Sequence, residues 1–348
     1  MKAVQVPLHG WRLRRYHATP MHDIRPGRPA RGRPERVVQL LWALLSLALA
    51  ACGSEAPDAG RPVVGFSQIG AESAWRVAET ASIVAEAEAR GVELKLVDAQ
   101  GRMEKQLEAL RGFVAQQVDA VILAPQKEQG FEPVLKELKE AGIPVVLVDR
   151  GVQADPSLYA TLIASDFVAE GRMAARFLVG ATSGEVRIVE LEGTTGSAPA
   201  IDRKKGFHEE LAAHGRLRVV RSQPAQFSLA EGKKQMEAIL RSEAEPFQAV
   251  YAHNDDMALG AIEALKAAGR APGRDVLVVS IDATRPAFEA MARGELSAAV
   301  ECSPLLGPLA LDAVQALLRG ERVESRIVVA DRLFEAAQAA AELPNRRY

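Results

Sequence analysis

The sequence predicts an α/β protein made of two doubly wound parallel-sheet lobes, and three observations support this fold class. From residue 63 onward, short apolar runs alternate with stretches of helical periodicity, as in parallel sheets covered by helices. The alternation runs through two series of similar size, which indicates two lobes. Polar and aromatic clusters follow many of the apolar runs. Because parallel α/β sheets bind ligands beyond the carboxyl ends of their strands, these clusters predict a ligand site.

The composition is that of a globular chain with an uneven charge distribution. Of the 348 residues, 48% are hydrophobic and 25% charged, which leaves room for about two domains. The formal net charge is −2, but residues 1–36 carry +7, which leaves −9 for the rest of the chain. A mildly acidic body without basic stripes argues against nucleic acid as a partner.

The N-terminal segment has the three parts of a secretion signal. Residues 37–51 are apolar except at two positions and follow an arginine-rich stretch, and the run ends in small residues. A basic region, an apolar core and small residues at the cleavage site define a signal peptide. At about fifteen residues, the apolar run is short for a membrane span. We therefore expect residues 1–51 to be a leader that is removed, with the start codon at Met1 or Met21.

The end of this leader resembles a bacterial lipobox. Residues 49–52 read Leu-Ala-Ala-Cys, and the resemblance implies that Cys52 is lipidated and becomes the mature N-terminus. Such an anchor needs two or more acyl chains to hold a protein at a membrane. Residues 52–62 are then a lipid-anchored tether. An uncleaved anchor and plain secretion remain as alternatives.

The first βα series begins at residue 63. Gly91 and Gly142 lie where glycines commonly end helices. The runs 121–123 and 145–148 are apolar on both faces, as expected for strands buried inside a parallel sheet. In chain order the predicted elements are strand 63–69, helix 74–89, strand 93–98, helix 103–116, strand 120–124, helix 131–141, strand 144–149 and strand 159–164.

The second series repeats the rhythm and then departs from it. Its last elements are short, and such segments can cross back to the first lobe and form a hinge, although periodicity alone does not show a crossing. The predicted elements are helix 167–179, strand 186–191, helix 200–213, strand 217–222, helix 229–241, strand 249–252, helix 256–268, strand 276–281, helix 286–293, strand 297–301, helix 308–318 and strand 326–330.

The cluster after the first strand contains Ser73, Trp75 and Arg76. Ser73 is placed to cap the following helix. An indole ring offers a flat face to the C–H side of a sugar, and a guanidinium group can bind two hydroxyls at once. The alternative is a core tryptophan beside a solvated arginine. We expect a ligand role.

Asp149 ends the predicted strand 144–149, and Arg150 directly follows it. A carboxylate and a guanidinium group together offer acceptors and donors to neighbouring hydroxyls. The alternative is a salt bridge between the two residues. Their position beyond a buried strand favours ligand binding.

Two further candidates are Arg203, on the predicted helix 200–213, and Phe227, which follows the predicted strand 217–222. Arg203 follows the loop 193–196 and opens a helix, from which it can reach a cleft. The loop has neither the GxGxxG nor the Walker spacing, so phosphate binding is weakly supported. Phe227 is a second aromatic candidate for packing against a sugar ring.

The sequence His-Asn-Asp-Asp at residues 253–256 follows another apolar strand. A metal site is disfavoured because His208 and His214 are six residues apart on a helix, and the chain has no HExxH or Cys–His spacing. We expect Asn254 to bind ligand through its amide, either Asp255 or Asp256 to cap the next helix, and no metal ion.

Asp282 directly follows the predicted strand 276–281, and Glu301 ends the next predicted strand, 297–301. Either carboxylate could serve catalysis, since a glycosidase needs two carboxyl groups with separated pKa values. The acidic candidates have basic or amide neighbours, which favours binding over catalysis, and no Gly-x-Ser-x-Gly elbow is present. We therefore expect no catalytic residue and no cofactor, with Cys302 a small buried side chain.

From about residue 63 to its end, the chain resembles the bacterial periplasmic sugar-binding proteins of the ribose-binding type, the substrate-binding components of ABC transporters. Its galactofuranose-binding members are the most similar. The Arg-Lys-Lys-Gly-Phe run at 203–207 and the His-Asn-Asp-Asp run are the specific motifs. The other motifs lie at residues 64–68, 72–76, 113–116, 118–120, 200–207, 251–257 and 280–282.

The resemblance implies two Rossmann-like lobes joined by three crossings that close on a sugar. The N-terminal lobe is then 63–164 plus 302–329, and the C-terminal lobe is 165–301 plus 330–348. The residues that match ligand positions of the family are Ser73, Trp75, Arg76, Asp149, Arg150, Arg203, Phe227, Asn254, Asp282 and Glu301, with Glu72 a weaker candidate by adjacency.

These observations predict a periplasmic, lipid-anchored solute-binding protein without enzymatic activity. We expect a monomer that captures a monosaccharide, galactofuranose or a related aldose, and delivers it to an ABC permease. A sugar-sensing module that feeds a chemoreceptor or sensor kinase is the alternative. A transcriptional regulator would need a helix-turn-helix, for which residues 1–62 offer only a Pro/Arg-rich stretch and an apolar leader. A carbohydrate hydrolase on this scaffold is a further alternative.

Overall fold

The structure, a computed structural model, describes residues 60–242 and 246–348. These residues form two sheets of six strands with helices on both faces, which confirms the predicted fold class. The predicted leader, residues 1–51, and Cys52 lie outside the described residues. Within the described ranges, no helix combines the length and apolar character that a membrane crossing requires.

The first sheet belongs to lobe 1 and is parallel throughout, with strand order β11-β5-β4-β3-β1-β2. As the sequence predicts, β3 and β4 are buried at every position. Its strands are β1 (Val63–Gln68), β2 (Glu93–Asp98), β3 (Ala120–Leu123), β4 (Val145–Val148), β5 (Thr161–Ser165) and β11 (Arg326–Val329).

The second sheet belongs to lobe 2 and has the order β12-β10-β9-β8-β6-β7, with β12 antiparallel to β10. The three-residue β12 has no counterpart among the predicted elements because it is too short to show a periodicity. The strands are β6 (Val186–Glu192), β7 (Leu217–Pro224), β8 (Ala249–Ala252), β9 (Leu277–Asp282), β10 (Ala298–Glu301) and β12 (Leu333–Glu335).

Helices cover both faces of each sheet, and apolar side chains fill the space between helices and strands. The longest helices agree with the predicted ranges to within a few residues. The helices are α1 (Ala74–Ala89), α2 (Met103–Ala115), α3 (Glu132–Glu140), α4 (Phe167–Ala181), α5 (Ala198–Ala212), α6 (Leu229–Arg241), α7 (Asp255–Ala267), α8 (Arg285–Ala292), α9 (Gly307–Leu318) and α10 (Ala339–Glu342).

The described chain passes between the lobes three times: from β5 to α4, from β10 to α9 and from β11 to β12. Two of these passages contact each other, since Ser165 Oγ lies 3.6 Å from Cys302 Sγ. Trp75 adds a second contact, because its indole N–H donates to the Cys302 carbonyl over 2.6 Å. The passages therefore form a hinge next to the first turn of α1.

Helices α4 and α5 approach each other closely in lobe 2, and glycines make this possible. A Cβ atom at Gly171 would lie 2.1 Å from the Arg203 carbonyl oxygen, and one at Gly206 would lie 2.0 Å from the Val168 carbonyl oxygen. Neither distance is sterically possible, so both positions require glycine. This packing fixes the part of α5 that carries Arg203.

The predicted tether ends against lobe 1. Of its residues, 60–62 are described, and the Arg61 guanidinium donates to the carbonyl oxygens of Gly91 (2.6 Å) and Val92 (3.3 Å) at the end of α1. These bonds hold the start of the folded body against the end of the first helix.

Candidate functional site

A polar cavity of about 280 Å³ lies between the lobes, beyond the carboxyl ends of β1, β4, β6, β8 and β9. We call it the inner cavity. It is lined by Glu72, Ser73, Trp75, Arg76, Asp149 and Arg150 from lobe 1 and by Pro199, Arg203, Phe227, Asn254 and Asp282 from lobe 2.

Arg76 is the centre of the lobe 1 wall. Its guanidinium group donates to Glu79 (2.5 Å), Asp149 (2.6 Å) and Glu72 (3.3 Å). Ser73 caps α1, as predicted, by accepting from the Arg76 backbone N–H. Burial lowers the pKa of Arg76, but Asp149, Glu79 and Glu72 more than offset this and raise the pKa well above its ordinary value. The network holds Arg76 rigidly as a cation.

Arg150 is the less completely paired arginine of this wall. One amino group donates to the Gln126 carbonyl over 3.0 Å, while Nε lies 3.4 Å from Asp149 and is buried without a hydrogen-bond partner. Burial and the nearby Arg76 charge lower the pKa of Arg150 to about 10. A buried donor without a partner is costly. Arg150 is therefore poised to donate to a ligand.

Asp149 and Arg150 directly follow β4, and Asp149 has an unusual backbone conformation there. Its φ is 60°, in the left-handed region that a residue other than glycine rarely adopts. Strain of this kind is concentrated at binding and catalytic sites. The turn places Asp149 against Arg76 and leaves the following Arg150 facing the cavity.

Arg203 is the centre of the lobe 2 wall. It donates to Glu170 over 2.7 Å and to the His253 carbonyl over 2.7 Å, and it lies 3.7 Å from Asp282. Burial opposes its charge, yet Glu170 and other neighbours raise the pKa of Arg203 above its ordinary value. Burial also raises the pKa of Asp282, with Arg203 acting against this change. The wall thus holds one fixed cation next to an acceptor.

Phe227 lies between the arginines of the two lobes. The centre of its ring is 5.4 Å from the Arg150 guanidinium carbon and 5.9 Å from that of Arg203, which is cation–π distance. Its φ of 57° is also left-handed. The ring packs against Gly193, where a Cβ atom would lie 1.9 Å from it. Phe227 therefore presents a fixed aromatic surface to the cavity.

Trp75 and Asn254 line the cavity but also have structural roles. The Trp75 indole N–H is bound to the hinge carbonyl of Cys302, and the ring packs under the Arg76 guanidinium at 4.8 Å. Asn254 caps α7 by accepting from the Met257 N–H and donates to the Phe227 carbonyl. The prediction that Asp255 or Asp256 caps this helix is wrong, because the Asn254 side chain occupies that position.

The two aspartates have other partners. Asp255 is buried and accepts from Ser280 and Thr284 within lobe 2. Asp256 reaches lobe 1, where it accepts from the Ala74 N–H over 3.2 Å at the start of α1. Together with a 3.1 Å bond from the Glu128 N–H to the Gly196 carbonyl, this contact joins the lobes beside the cavity. The structure is therefore a closed conformation.

Glu301 is the one predicted ligand residue that the structure does not bring to the inner cavity. Its carboxylate accepts from Arg346 over 2.7 Å and from the Tyr348 hydroxyl over 3.3 Å, and Arg332 lies 3.5 Å away. These partners belong to the C-terminal segment after β11. Glu301 therefore binds that segment to lobe 2, and it is not a candidate ligand-binding residue of the inner cavity.

Sequence reasoning missed three residues that build the site. Pro199 lines the cavity at the start of α5. Glu79 is one helical turn beyond Arg76, a spacing that could have revealed the pair. Glu170 lies on α4, which reaches the second lobe through a hinge crossing that periodicity does not show.

In the described parts of the chain, no group of three or more His, Cys, Asp or Glu side chains could hold a metal ion.

Comparison with known proteins identifies the family. A protein-family model described as "Periplasmic binding protein domain" matches residues 64–322. The chain is 44% identical over 281 residues to the galactofuranose-binding protein YtfQ of Escherichia coli, an alignment that covers 79% of this chain and 88% of that protein.

Two solved structures show the same fold at similar identity. One is the binding protein of the arabinose ABC transporter from Shewanella sp. ANA-3 with bound arabinofuranose, with 47% identity, a TM-score of 0.80, and coverage of 82% of this chain and 95% of that one. The other is a Mycobacterium smegmatis protein in complex with β-D-fucofuranose, with the same identity, TM-score and coverage. The chain belongs to the periplasmic binding protein family.

Proposed function

We propose that this member of the periplasmic binding protein family is a lipid-anchored solute-binding protein. It captures one monosaccharide in furanose form, galactofuranose or a related aldose, and delivers it unchanged to an ABC importer. The observation that carries the proposal is the inner cavity, in which arginines, carboxylates, an amide and aromatic rings from both lobes surround one small enclosed space.

The charges around this space favour a neutral polyhydroxylated ligand over an anion. Arg76, Arg150 and Arg203 are buried, but they lie among a larger number of carboxylates. A phosphate or carboxylate group would be repelled by these acidic side chains. Sugar hydroxyls can donate to the carboxylates and accept from the guanidinium groups at once. The ring of Phe227 suits the apolar C–H face of a sugar.

The furanose form is supported by the relatives. The E. coli relative is named for galactofuranose, and the two solved structures contain bound arabinofuranose and fucofuranose. The ring form therefore belongs to the proposal, while the particular sugar is for the binding experiment to decide.

Closure of the lobes supplies the signal that an importer can read. Arg150 and Arg203 lie on different lobes, so a sugar bound to both stabilises the closed state over the open one. Only such a difference in affinity shifts a conformational equilibrium. The hinge beside Trp75 is the place where this motion occurs.

The anchor rests on the sequence alone. The Leu-Ala-Ala-Cys sequence at residues 49–52 marks Cys52 for lipidation, and the following tether would link it to the body at Arg61. Mass spectrometry of the N-terminal peptide tests this directly. The expected result is a diacylglyceryl group on Cys52, and an unmodified Cys52 would contradict the anchor.

Isothermal titration calorimetry tests ligand capture. The panel contains L-arabinose, D-galactose, D-fucose and D-ribose, which form furanose rings to different extents, and myo-inositol as a cyclic polyol that cannot. We expect binding of one sugar per chain with a dissociation constant of about 1 μM or tighter, which corresponds to about −8 kcal/mol. Failure of every monosaccharide to bind would overturn the proposal.

A further inference from the structure

A second cavity lies at the mouth of the cleft, next to the inner cavity. We call it the outer chamber. Its volume is about 810 Å³ and it is open to solvent. Lobe 1 contributes Gly70, Glu72, Gln100 and Gln126, and lobe 2 contributes Thr194 and Gln226. Both lobes therefore build the chamber, and it is complete only when the cleft is closed.

Glu72 lies between the two cavities and lines both of them. Its Oε1 atom faces the arginines of the inner cavity, 3.3 Å from Arg76 and 3.8 Å from Arg150. Its Oε2 atom is buried without a hydrogen-bond partner and lies 3.4 Å from the place where a Cβ atom of Gly70 would be. Because Gly70 lines the outer chamber, this unpaired acceptor lies on the chamber side.

The lining of the outer chamber has the chemistry of a saccharide site. Apart from Glu72 it is neutral, with the amides of Gln100, Gln126 and Gln226 and the hydroxyl of Thr194. Amides and hydroxyls both donate and accept hydrogen bonds, as sugar hydroxyls require. A neutral lining with one acceptor carboxylate disfavours an anionic ligand.

The two cavities are also joined through the backbone. Arg150, which faces the inner cavity, donates to the Gln126 carbonyl over 3.0 Å. The bond between Glu128 and Gly196 closes the lobes beside the same segment. A ligand that engages Arg150 and closes the cleft therefore completes the wall of the outer chamber at the same time.

We propose that the outer chamber is a second saccharide subsite, so that the protein binds a furanose disaccharide with one ring in the inner cavity and the other beyond Glu72. Because Glu72 lines both spaces, a substituent that leaves the inner cavity past Glu72 enters the outer chamber. This inference rests on the proposed function, because the first ring occupies the site described there.

Calorimetry on the full chain with a filled chamber tests this inference. Ala71 is exposed and lines the outer chamber but not the inner cavity, so Ala71→Trp fills the chamber and leaves the first site intact. Ala85→Trp, at an exposed position on α1, is the matched control. The probes are L-arabinose and arabinobiose, a disaccharide of two arabinofuranose rings, together with galactose and a galactofuranosyl disaccharide.

The wild-type chain and Ala85→Trp are expected to bind both a monosaccharide and its disaccharide. Ala71→Trp is expected to keep monosaccharide affinity within about twofold and to lose at least about tenfold in disaccharide affinity, since a blocked ring loses several hydrogen bonds. Thr194→Val, a milder change that removes one hydroxyl, should weaken only the disaccharide, by about two- to tenfold.

The other outcomes separate this inference from the proposed function. Binding of a monosaccharide but no disaccharide overturns the second subsite and leaves the proposed function standing, with the chamber a solvent vestibule. Equal losses for both probes in Ala71→Trp also overturn it. If no saccharide binds the wild-type chain, the proposed function fails, and the second subsite fails with it.

Discussion

The two walls of the inner cavity neutralise their arginines in different ways. On the lobe 1 wall, Arg76 is surrounded by three carboxylates from its own lobe, and Arg150 keeps a buried N–H without a partner. On the lobe 2 wall, Arg203 depends on Glu170, which lies on α4 directly after a hinge crossing. The lobe 1 wall is thus a preformed charged surface, whereas the lobe 2 wall depends on helix packing and the hinge.

We therefore expect the lobe 1 wall to contribute mainly to ligand affinity, and the packing behind the lobe 2 wall to affect both the fold and the affinity. Loss of the incompletely paired arginine should remove ligand contacts without disturbing the fold. Loss of packing behind the lobe 2 wall should disturb fold and affinity together.

Substitution of Arg150 should have the largest effect on affinity. Arg150→Ala removes a charged donor that we place on the ligand, and hydrogen bonds of charged groups contribute about 1.5–3 kcal/mol each. We expect affinity to fall at least about a hundredfold in calorimetry. The melting temperature of the empty protein should change little, because the Arg150 charge is repelled by Arg76.

Arg111→Ala is the matched control for this experiment, since Arg111 is an exposed arginine paired only with Glu137. It should leave both affinity and melting temperature unchanged. Normal binding by Arg150→Ala would show that the lobe 1 wall does not hold the ligand.

Substitution of Gly171 tests the dependence of the lobe 2 wall on helix packing. Gly171→Ala would place a Cβ atom 2.1 Å from the Arg203 carbonyl, and overpacking of this kind costs about 1–3 kcal/mol. We expect a lower melting temperature together with a loss of affinity of about tenfold, because α5 must shift with Arg203. Thermal unfolding and calorimetry measure the two effects.

Gly180→Ala on the same helix is the control. A Cβ atom there meets nothing within 4 Å, and alanine is the better helix former. Stability should stay the same or rise. If Gly171→Ala behaves like Gly180→Ala, the close packing of α4 and α5 does not position Arg203.

Substitution of Asn254 should lower both the stability of the protein and its affinity for ligand, by less than the substitutions above. Asn254→Ala removes the cap of α7, which costs about 1 kcal/mol, and also the amide donor to Phe227. We expect lower stability and lower affinity. Asn254→Ser keeps a capping hydroxyl, so it should recover most of the stability but not the affinity. Full recovery of both would show that the amide contributes only as a cap.

The pH dependence of affinity should show the smallest effect. Burial raises the pKa of Asp256 to about 6 in the closed structure, with the Ala74 N–H opposing this and Glu72 adding to it. A carboxyl group whose pKa is higher in the closed state takes up a proton on closure. Closure and affinity should therefore increase as the pH falls from about 7 towards the ordinary aspartate value of about 4.

Asp256→Asn should flatten this slope in calorimetric titrations across the same pH range. An unchanged slope in Asp256→Asn would show that this contact between the lobes does not titrate with closure.

The sequence located most of the candidate site because of where its residues fall on the strands. Ser73, Asp149 and Arg203 follow apolar strands or open the next helix, and topology alone brings such positions to one edge of a parallel sheet. The predicted elements therefore bring these residues to the same edge of a sheet as the structure does, even where their boundaries differ by a few positions.

What the sequence could not show are the partners of these residues. Asn254 and its two neighbouring aspartates compete for one capping position, and only the φ angles and distances show that Asn254 takes it. Glu301 is bound by Arg346 from a segment with no periodicity. Glu170 reaches Arg203 across a hinge crossing that no local pattern reveals.

A crystal structure of the protein with the sugar that binds most tightly in calorimetry is the most direct test of the account. It should show one ring in the inner cavity, with hydroxyls about 3 Å from the guanidinium groups of both Arg150 and Arg203 and the ring of Phe227 against a C–H face. A sugar that contacts one lobe only, or that lies away from these arginines, would contradict the account.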